Sequence, residues 1–159
     1  AFRAPMVAST TGDGMYWVLR EDLEYQQPET KRVYVVPTGF VTDFASVPRL
    51  FWVAFPPCGK YTPAAVVHDY LYWAQPANCD RECADGVLLS AMKESDVDIF
   101  TRNAIYTAVR AGGQSSWAYN LGAKKQGALR IIPEPYMNFA PNDTWAQIEA
   151  RIRKAPVQP

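Results

Sequence analysis

The chain has 159 residues, 48% of them hydrophobic and 20% charged, with 16 basic residues balanced by 16 acidic ones. This size and composition are typical of a globular protein with its own core, and the balanced charge argues against a protein that finds nucleic acid through a basic surplus. No apolar run approaches the roughly 20 residues of a membrane span, and residues 1–10 lack a basic and apolar secretion signal. We therefore expect no nucleic-acid partner, no membrane span and synthesis in the cytoplasm.

Residues 6–41 predict a small antiparallel sheet. The stretches MYWVLR (15–20) and KRVYVV (31–36) are rich in the β-branched and aromatic residues that strands favour. TGDG (11–14) and QQPET (26–30) supply the residues that chain reversals require. Two hairpins are the expected result.

Residues 36–63 are apolar but repeatedly interrupted by proline. Such a segment is too apolar for a solvated linker, and its prolines prevent a long helix or a central strand. We expect an irregular segment that crosses the core or lines a cleft. It carries Asp43 and Ser46 among large apolar side chains.

A helical hairpin is predicted next. Its first helix spans about 63–75, with Thr62 as the N-cap and a proline at the first helical position. The second helix spans roughly 80–95, with Asn78 or Asp80 as its cap. The connection between them is short, so the two helices are expected to be antiparallel neighbours.

A third helix, about 98–111, is expected to end at the glycine pair 112–113. The sequence thus predicts a single α+β domain over residues 1–113: a small antiparallel sheet on a helical hairpin plus a third helix, with the irregular crossing segment. Residues 114–159 are predicted to be an extension that wraps the domain or docks on a partner. This extension carries a short terminal helix, 144–154, preceded by an Asn–Asp cap.

The three cysteines are Cys58, Cys79 and Cys83. An odd number makes a poor disulfide framework, so we expect three reduced, half-buried thiols. The alternative is a zinc site in which His68, the only histidine, supplies the fourth ligand.

His68 and Asp85 are the main candidate site residues. Ala77 marks the centre of the predicted hairpin turn, and the two residues lie nine positions before it and eight after it, so they should face each other at the same height. Each lies on an apolar stripe of its helix, and a buried carboxylate is costly unless it is paired. We therefore predict that Asp85 binds one ring nitrogen of His68 and leaves the other to act as a base.

Three chemistries are compatible with this pair. In the first, His68 activates water and Asp85 orients the His68 ring, while a divalent cation or the substrate binds Asp69 and Asp43. In the second, Ser46 is the nucleophile, His68 the base, and Asp85 or Asp43 the orienting group. In the third, His68 and two carboxylates hold one metal ion of undetermined identity. A non-catalytic polar network of the same residues is the fourth reading.

Four runs of the sequence resemble a small family of unknown function whose members come mainly from bacteriophages and prophages. The runs are VPTGFVTDFASVPRLFW (36–52), YTPAAVVHDYLYW (61–73), RECADGVLLSAMKE (81–94) and AVRAGG (108–113). The resemblance covers about residues 15–113. It implies a phage setting, with assembly into a virion and with other virion proteins or the host cell envelope as partners, but it implies no activity.

A more distant resemblance is to the paired helices of secreted phospholipases A2. In that family a His-Asp dipeptide faces an Asp of the next helix, and calcium binds the Asp beside the His. His68, Asp69 and Asp85 fit these three positions, whereas the disulfides and the glycine-rich calcium loop of the family are missing.

These observations lead to three hypotheses for function. The first is a hydrolase acting on cell-envelope material at entry or lysis, with His68 and Asp85 at its centre. The second is a non-catalytic component of a phage tail or baseplate, with residues 114–159 as its docking arm. The third is a small protein that interacts with the host during infection.

Overall fold

The computed structural model describes residues 1–43 and 59–154. The centre of the predicted irregular segment lies outside the described residues. So do the candidate nucleophile Ser46 and the third cysteine, Cys58.

Two small antiparallel sheets occupy the first part of the chain. The strands are β1 (Ala8–Thr10), β2 (Trp17–Leu19), β3 (Leu23–Gln26), β4 (Val33–Val36) and β5 (Val41–Thr42). One sheet has the order β1-β2-β5, and β3 pairs with β4 as a separate hairpin. Val18 of β2 is paired with Ser9 on one side and Val41 on the other. Each of the two predicted turns joins a pair of antiparallel strands, as expected, but the strands form two small sheets where the sequence predicted one.

Four α-helices follow the strands. They are α1 (Thr62–Ala74), α2 (Arg81–Glu94), α3 (Ile99–Lys125) and α4 (Trp145–Lys154). The Asp80 carboxylate caps α2 as predicted, because it accepts a hydrogen bond from the Cys83 N–H at 2.9 Å. The prediction for α1 was wrong by one residue: Tyr61 is the N-cap and Thr62 is helical. The Thr62 hydroxyl instead accepts a hydrogen bond from the Gly59 N–H at 2.9 Å.

The cap of α4 also differs from the prediction. Thr144 precedes the helix, and its hydroxyl accepts from the Gln147 N–H at 3.3 Å while the Gln147 side chain accepts from the Thr144 N–H at 2.9 Å. This reciprocal arrangement satisfies two backbone donors at the helix start. The predicted Asn–Asp cap was wrong, because the Asp143 carboxylate instead accepts from the Ala140 N–H at 2.7 Å.

The prediction that the glycine pair 112–113 ends the third helix was wrong. Helix α3 continues without interruption from Ile99 to Lys125. A Cβ on Gly113 would lie 2.3 Å from the Tyr72 hydroxyl oxygen of α1. The glycine therefore permits close packing between helices. The division at residues 113 and 114 stays a prediction from the sequence, and this position lies inside a continuous helix.

The core lies where the α1–α2 hairpin meets α3 and the β3–β4 hairpin. Its largest fully buried side chains include Tyr25, Phe40, Tyr72, Leu88 and Met92. The fold is therefore of the α+β class, as predicted. Over the described ranges 1–43 and 59–154, no helix is both long and apolar enough to cross a membrane.

A second, smaller core joins the C-terminal part of the chain to the first sheet. It consists of Val18, Val41, Ile132 and Ile148. Backbone hydrogen bonds from Val41 N to Arg130 O at 2.8 Å and from Ile132 N to Gly39 O at 2.9 Å fix this connection. The segment after α3 is thereby held beside the end of β5.

Cys79 and Cys83 form a disulfide. The expectation of reduced thiols at these two positions was therefore wrong. The two residues flank the first turn of α2, which brings their Cα atoms to 5.2 Å, a separation that a disulfide can span. Neither sulfur is then a thiolate ligand for the proposed zinc site.

Candidate functional site

The predicted contact between His68 and Asp85 is present. His68 Nε2 lies 2.9 Å from Asp85 Oδ1, and both side chains have 0% of their surface exposed. His68 comes from the middle of α1 and Asp85 from the second turn of α2. The contact therefore follows from the short connection and from the apolar stripes that turn both residues inward.

Three other side chains also bind the Asp85 carboxylate. Tyr72 donates its hydroxyl hydrogen to Oδ1 at 2.7 Å. Arg81 and Arg110 donate to Oδ2 at 3.1 and 3.0 Å. Asp85 thus accepts hydrogen bonds from α1, α2 and α3. We call Asp85 and its four partners, His68, Tyr72, Arg81 and Arg110, the Asp85 network.

The network keeps Asp85 ionised. Burial by itself would raise the pKa of Asp85, but the hydrogen bonds from His68, Tyr72 and Arg110 outweigh burial and hold the pKa below its ordinary value. Burial, together with the neighbouring Asp85, raises the pKa of Tyr72 well above its ordinary value, so Tyr72 remains a hydrogen-bond donor.

The ionised carboxylate determines the tautomer of His68. A carboxylate can only accept hydrogen bonds, so Nε2 carries the hydrogen when the ring is neutral. Nδ1 is then the basic nitrogen. The ring also lies 4.2 Å from the Tyr72 ring, at an angle of 44°, which restricts its rotation. This arrangement holds His68 in one orientation and, when the ring is neutral, in one tautomer.

The next residue, Asp69, belongs to a different environment. It lies about 100° further around α1, is 5% exposed, and accepts a hydrogen bond from the Thr42 hydroxyl. Asp43, which follows β5, forms an ion pair with Arg130 at 3.4 Å. Both carboxylates line a cleft of about 350 Å³ whose other walls include residues of α3. We call this the Asp69 cleft.

The structure thus brings the sequence-predicted residues together in two groups. His68 and Asp85 are in the buried network, and Asp69 and Asp43 line the cleft. Ser46 lies outside the described residues. Across 1–43 and 59–154, no group of three His, Cys, Asp or Glu side chains could hold a metal ion. The described part of the chain therefore offers no ligand set for the one-metal alternative.

Sequence reasoning missed several residues of both groups. Tyr72 is four residues after His68 and Arg81 four before Asp85, so helical spacing could have found them. Arg110, Asn120 and Arg130 reach these positions only through the packing of α3 and the segment after it. No local pattern indicates such a contact.

The fold and the site define an α+β protein with a buried His–Asp pair beside a polar cleft. The chain belongs to the family described as Protein of unknown function (DUF1353), whose model matches residues 17–109. The match covers α1, α2 and the first part of α3, and it includes both His68 and Asp85. No curated protein and no solved structure matches the chain.

Proposed function

We propose that the protein is a phage- or prophage-encoded hydrolase that acts on cell-envelope material, with His68 as the base that activates water. The contact of 2.9 Å between His68 Nε2 and Asp85 Oδ1 is the observation that carries this proposal. When Nδ1 takes a proton from water, the ring becomes positively charged, and a carboxylate at Nε2 stabilises that charge. The low pKa of Asp85 keeps the carboxylate available for this role.

The cleft residues have a separate role in this proposal. Asp69 is next to His68 on α1 and lines the cleft together with Asp43. We propose that these two carboxylates bind the substrate or a cation that accompanies it. The phage setting rests on the resemblance of the four sequence runs, and hydrolysis is favoured by the likeness of the helix pair to secreted phospholipases A2. Ser46 remains the alternative nucleophile.

The proposal can be tested with purified protein and two envelope fractions. Peptidoglycan sacculi and phospholipid vesicles would be incubated separately, and released reducing ends, amino groups and fatty acids would be measured. We expect His68→Asn and Asp85→Asn to lower the rate by about 100-fold or more, the usual contribution of a general base. Asn103→Ala, an exposed position of α3, is the control and should retain the wild-type rate.

Thermal unfolding of each variant separates loss of chemistry from loss of structure. If the wild-type protein releases no more product than His68→Asn, the hydrolase proposal is wrong. A Ser46→Ala variant distinguishes the two nucleophiles: an unchanged rate supports attack by water, and a lost rate supports attack by Ser46.

A second candidate function is a non-catalytic component of a phage tail or baseplate. The specific observation in its favour is that His68 and Asp85 are completely buried, and that Asp85 accepts hydrogen bonds from side chains of three helices. In addition, α3 begins with Ile99 and Phe100, which are 53% and 84% exposed and suit contact with another protein. Here His68→Asn and Asp85→Asn would lower only the melting temperature.

Mass spectrometry of purified virions tests this second candidate directly. Detection at a fixed stoichiometry would support a structural component. Presence in infected cells together with absence from virions would favour the host-interaction hypothesis.

A further inference from the structure

We propose that the Asp69 cleft is a carbohydrate subsite that binds a neutral oligosaccharide. The inference names the substrate class of the proposed hydrolase and so rests on that proposal, but binding can be measured without turnover. The cleft measures about 350 Å³, near the lower end of the ~300–1,000 Å³ typical of small-molecule sites. It is therefore suited to a short stretch of a glycan.

The strongest indication of a ligand is Asn120. Its side chain lines the cleft and is only 7% exposed. Among residues 1–43 and 59–154, its amide makes no side-chain hydrogen bond, and since no buried side-chain polar atom of these residues lacks a partner, the amide is open to the cleft. An amide offers both donors and an acceptor. A sugar hydroxyl or acetamido group also both donates and accepts, so it would complete this site.

Of the substrate and the cation proposed as ligands of this cleft, the charges favour an uncharged substrate. Arg130 lies 3.4 Å from Asp43, so its guanidinium neutralises one carboxylate and repels a metal cation. The described lining of the cleft has two carboxylates and one guanidinium, so it offers no surplus of positive charge to a phosphate or another anion. A neutral ligand with many polar groups can hydrogen-bond to these side chains without charge repulsion.

The remaining walls match the two kinds of surface that a sugar presents. Tyr119 is 71% exposed and lies four residues after Ser115 on the same face of α3. Tyr16 lines the same cleft, and its ring lies 6.1 Å from the ring of Trp145. Tyrosine rings offer an apolar face with a polar edge, which suits the C–H face of a sugar ring. The Ser115 hydroxyl donates to the Gly112 carbonyl at 3.0 Å and can still accept a hydrogen bond from a sugar hydroxyl.

The test is binding of tetrasaccharides of N-acetylglucosamine, glucose and galactose to the full chain, measured by saturation-transfer NMR and calorimetry. We expect at least one to bind, and Asn120→Ala and Tyr119→Ala to weaken its binding by about tenfold or more. The matched controls on α3 are Asn103→Ala and Phe100→Ala, which should stay within about twofold. Thermal unfolding checks that each variant is folded.

Several results would overturn the inference. They are failure of all three tetrasaccharides to bind, binding that both cleft variants leave unchanged, and saturable binding of Ca²⁺ alone or inorganic phosphate alone that Asn120→Ala abolishes. His68→Asn should bind the tetrasaccharide like the wild type. Binding without any hydrolysis would contradict only the proposed function, whereas hydrolysis of envelope lipid without tetrasaccharide binding would contradict only the carbohydrate subsite.

Discussion

His68 and Asp69 are neighbours on α1, yet one belongs to a buried hydrogen-bond network and the other to an open cleft. In the Asp85 network, four side chains donate to one completely buried carboxylate. In the Asp69 cleft, the amide of Asn120 makes no side-chain hydrogen bond to the described residues and is open to the cleft. A closed polar network contributes to stability, whereas an open one retains the capacity to bind a ligand. Substitutions in the two regions should therefore have different consequences.

The largest difference is expected between the two aspartates. Asp85→Ala should lower the free energy of unfolding by about 3 kcal/mol, because it leaves buried or half-buried positive groups without their carboxylate. The figure is at the low end for a broken buried pair, since Arg81 and Arg110 are 20% and 31% exposed. Asp69→Asn should cost about 1 kcal/mol or less, because an amide oxygen can still accept from Thr42. Urea denaturation measures the free energy of unfolding of both variants. Equal losses of stability would contradict the expected difference between the two aspartates.

Tyr72→Phe tests one donor of the network. Loss of a hydrogen bond to an ionised group should cost about 1.5–3 kcal/mol. Tyr70→Phe on the same helix is the control, because the Tyr70 hydroxyl makes no hydrogen bond to the described residues. Its effect should stay within about 0.5 kcal/mol. Similar losses in both variants would show that the Tyr72 hydroxyl contributes little.

Gly113→Ala tests the packing that brings α3 onto the network. The added Cβ would lie 2.3 Å from the Tyr72 hydroxyl oxygen, so we expect a loss of about 1–3 kcal/mol from overpacking. Gly122→Ala is the control in the same helix, since its Cβ would meet nothing within 4 Å. That variant should gain up to about 1 kcal/mol from helix propensity. A gain in both variants would contradict the close-packing role of Gly113.

The pH dependence of stability provides a further test of the network. Because the pKa of Asp85 is lowered in the folded state, its contribution is complete above the unfolded value, about 3.9, and is lost as the pH falls through the folded value. The stability difference between wild type and Asp85→Asn should therefore shrink below about pH 4, by at most about 1.4 kcal/mol per pH unit. A difference that stays constant from pH 6 to pH 2 would contradict this assignment.

The smallest effect on stability is expected at Asn120. Asn120→Ala removes no hydrogen bond to the described residues but does remove packing of a nearly buried side chain, so the free energy of unfolding should change by less than about 1 kcal/mol. The same variant is expected to lose oligosaccharide binding. A large destabilisation would instead place Asn120 among the structural residues, and chemical denaturation beside Asn103→Ala would reveal it.

The local features of the molecule could be predicted from the sequence. The hairpins follow from turn residues, and the His68–Asp85 contact follows from counting residues across a short connection. The phases of the two apolar stripes indicated which way both side chains point. These predictions succeeded because each depends on spacing within a hairpin, where geometry is fixed by a few intervening residues.

Long-range contacts could not be predicted in the same way. By themselves, two adjacent glycines indicate the end of a helix. At Gly113, however, the absence of a side chain allows Tyr72 of α1 to pack closely against a continuous helix. Arg110 reaches Asp85 across 25 positions of sequence, and Arg130 reaches Asp43 across 87. The count of three cysteines suggested free thiols, whereas Cys79 and Cys83 pair locally within one turn. Tertiary packing decides each of these cases.

The continuous helix α3 contributes a residue to each of the two regions. Arg110 holds Asp85, and Asn120 lines the cleft ten residues further along the same helix, about 15 Å away at 1.5 Å per residue. An uninterrupted helix fixes the spacing of these two residues. A break in the helix between them would therefore disturb the network and the cleft together.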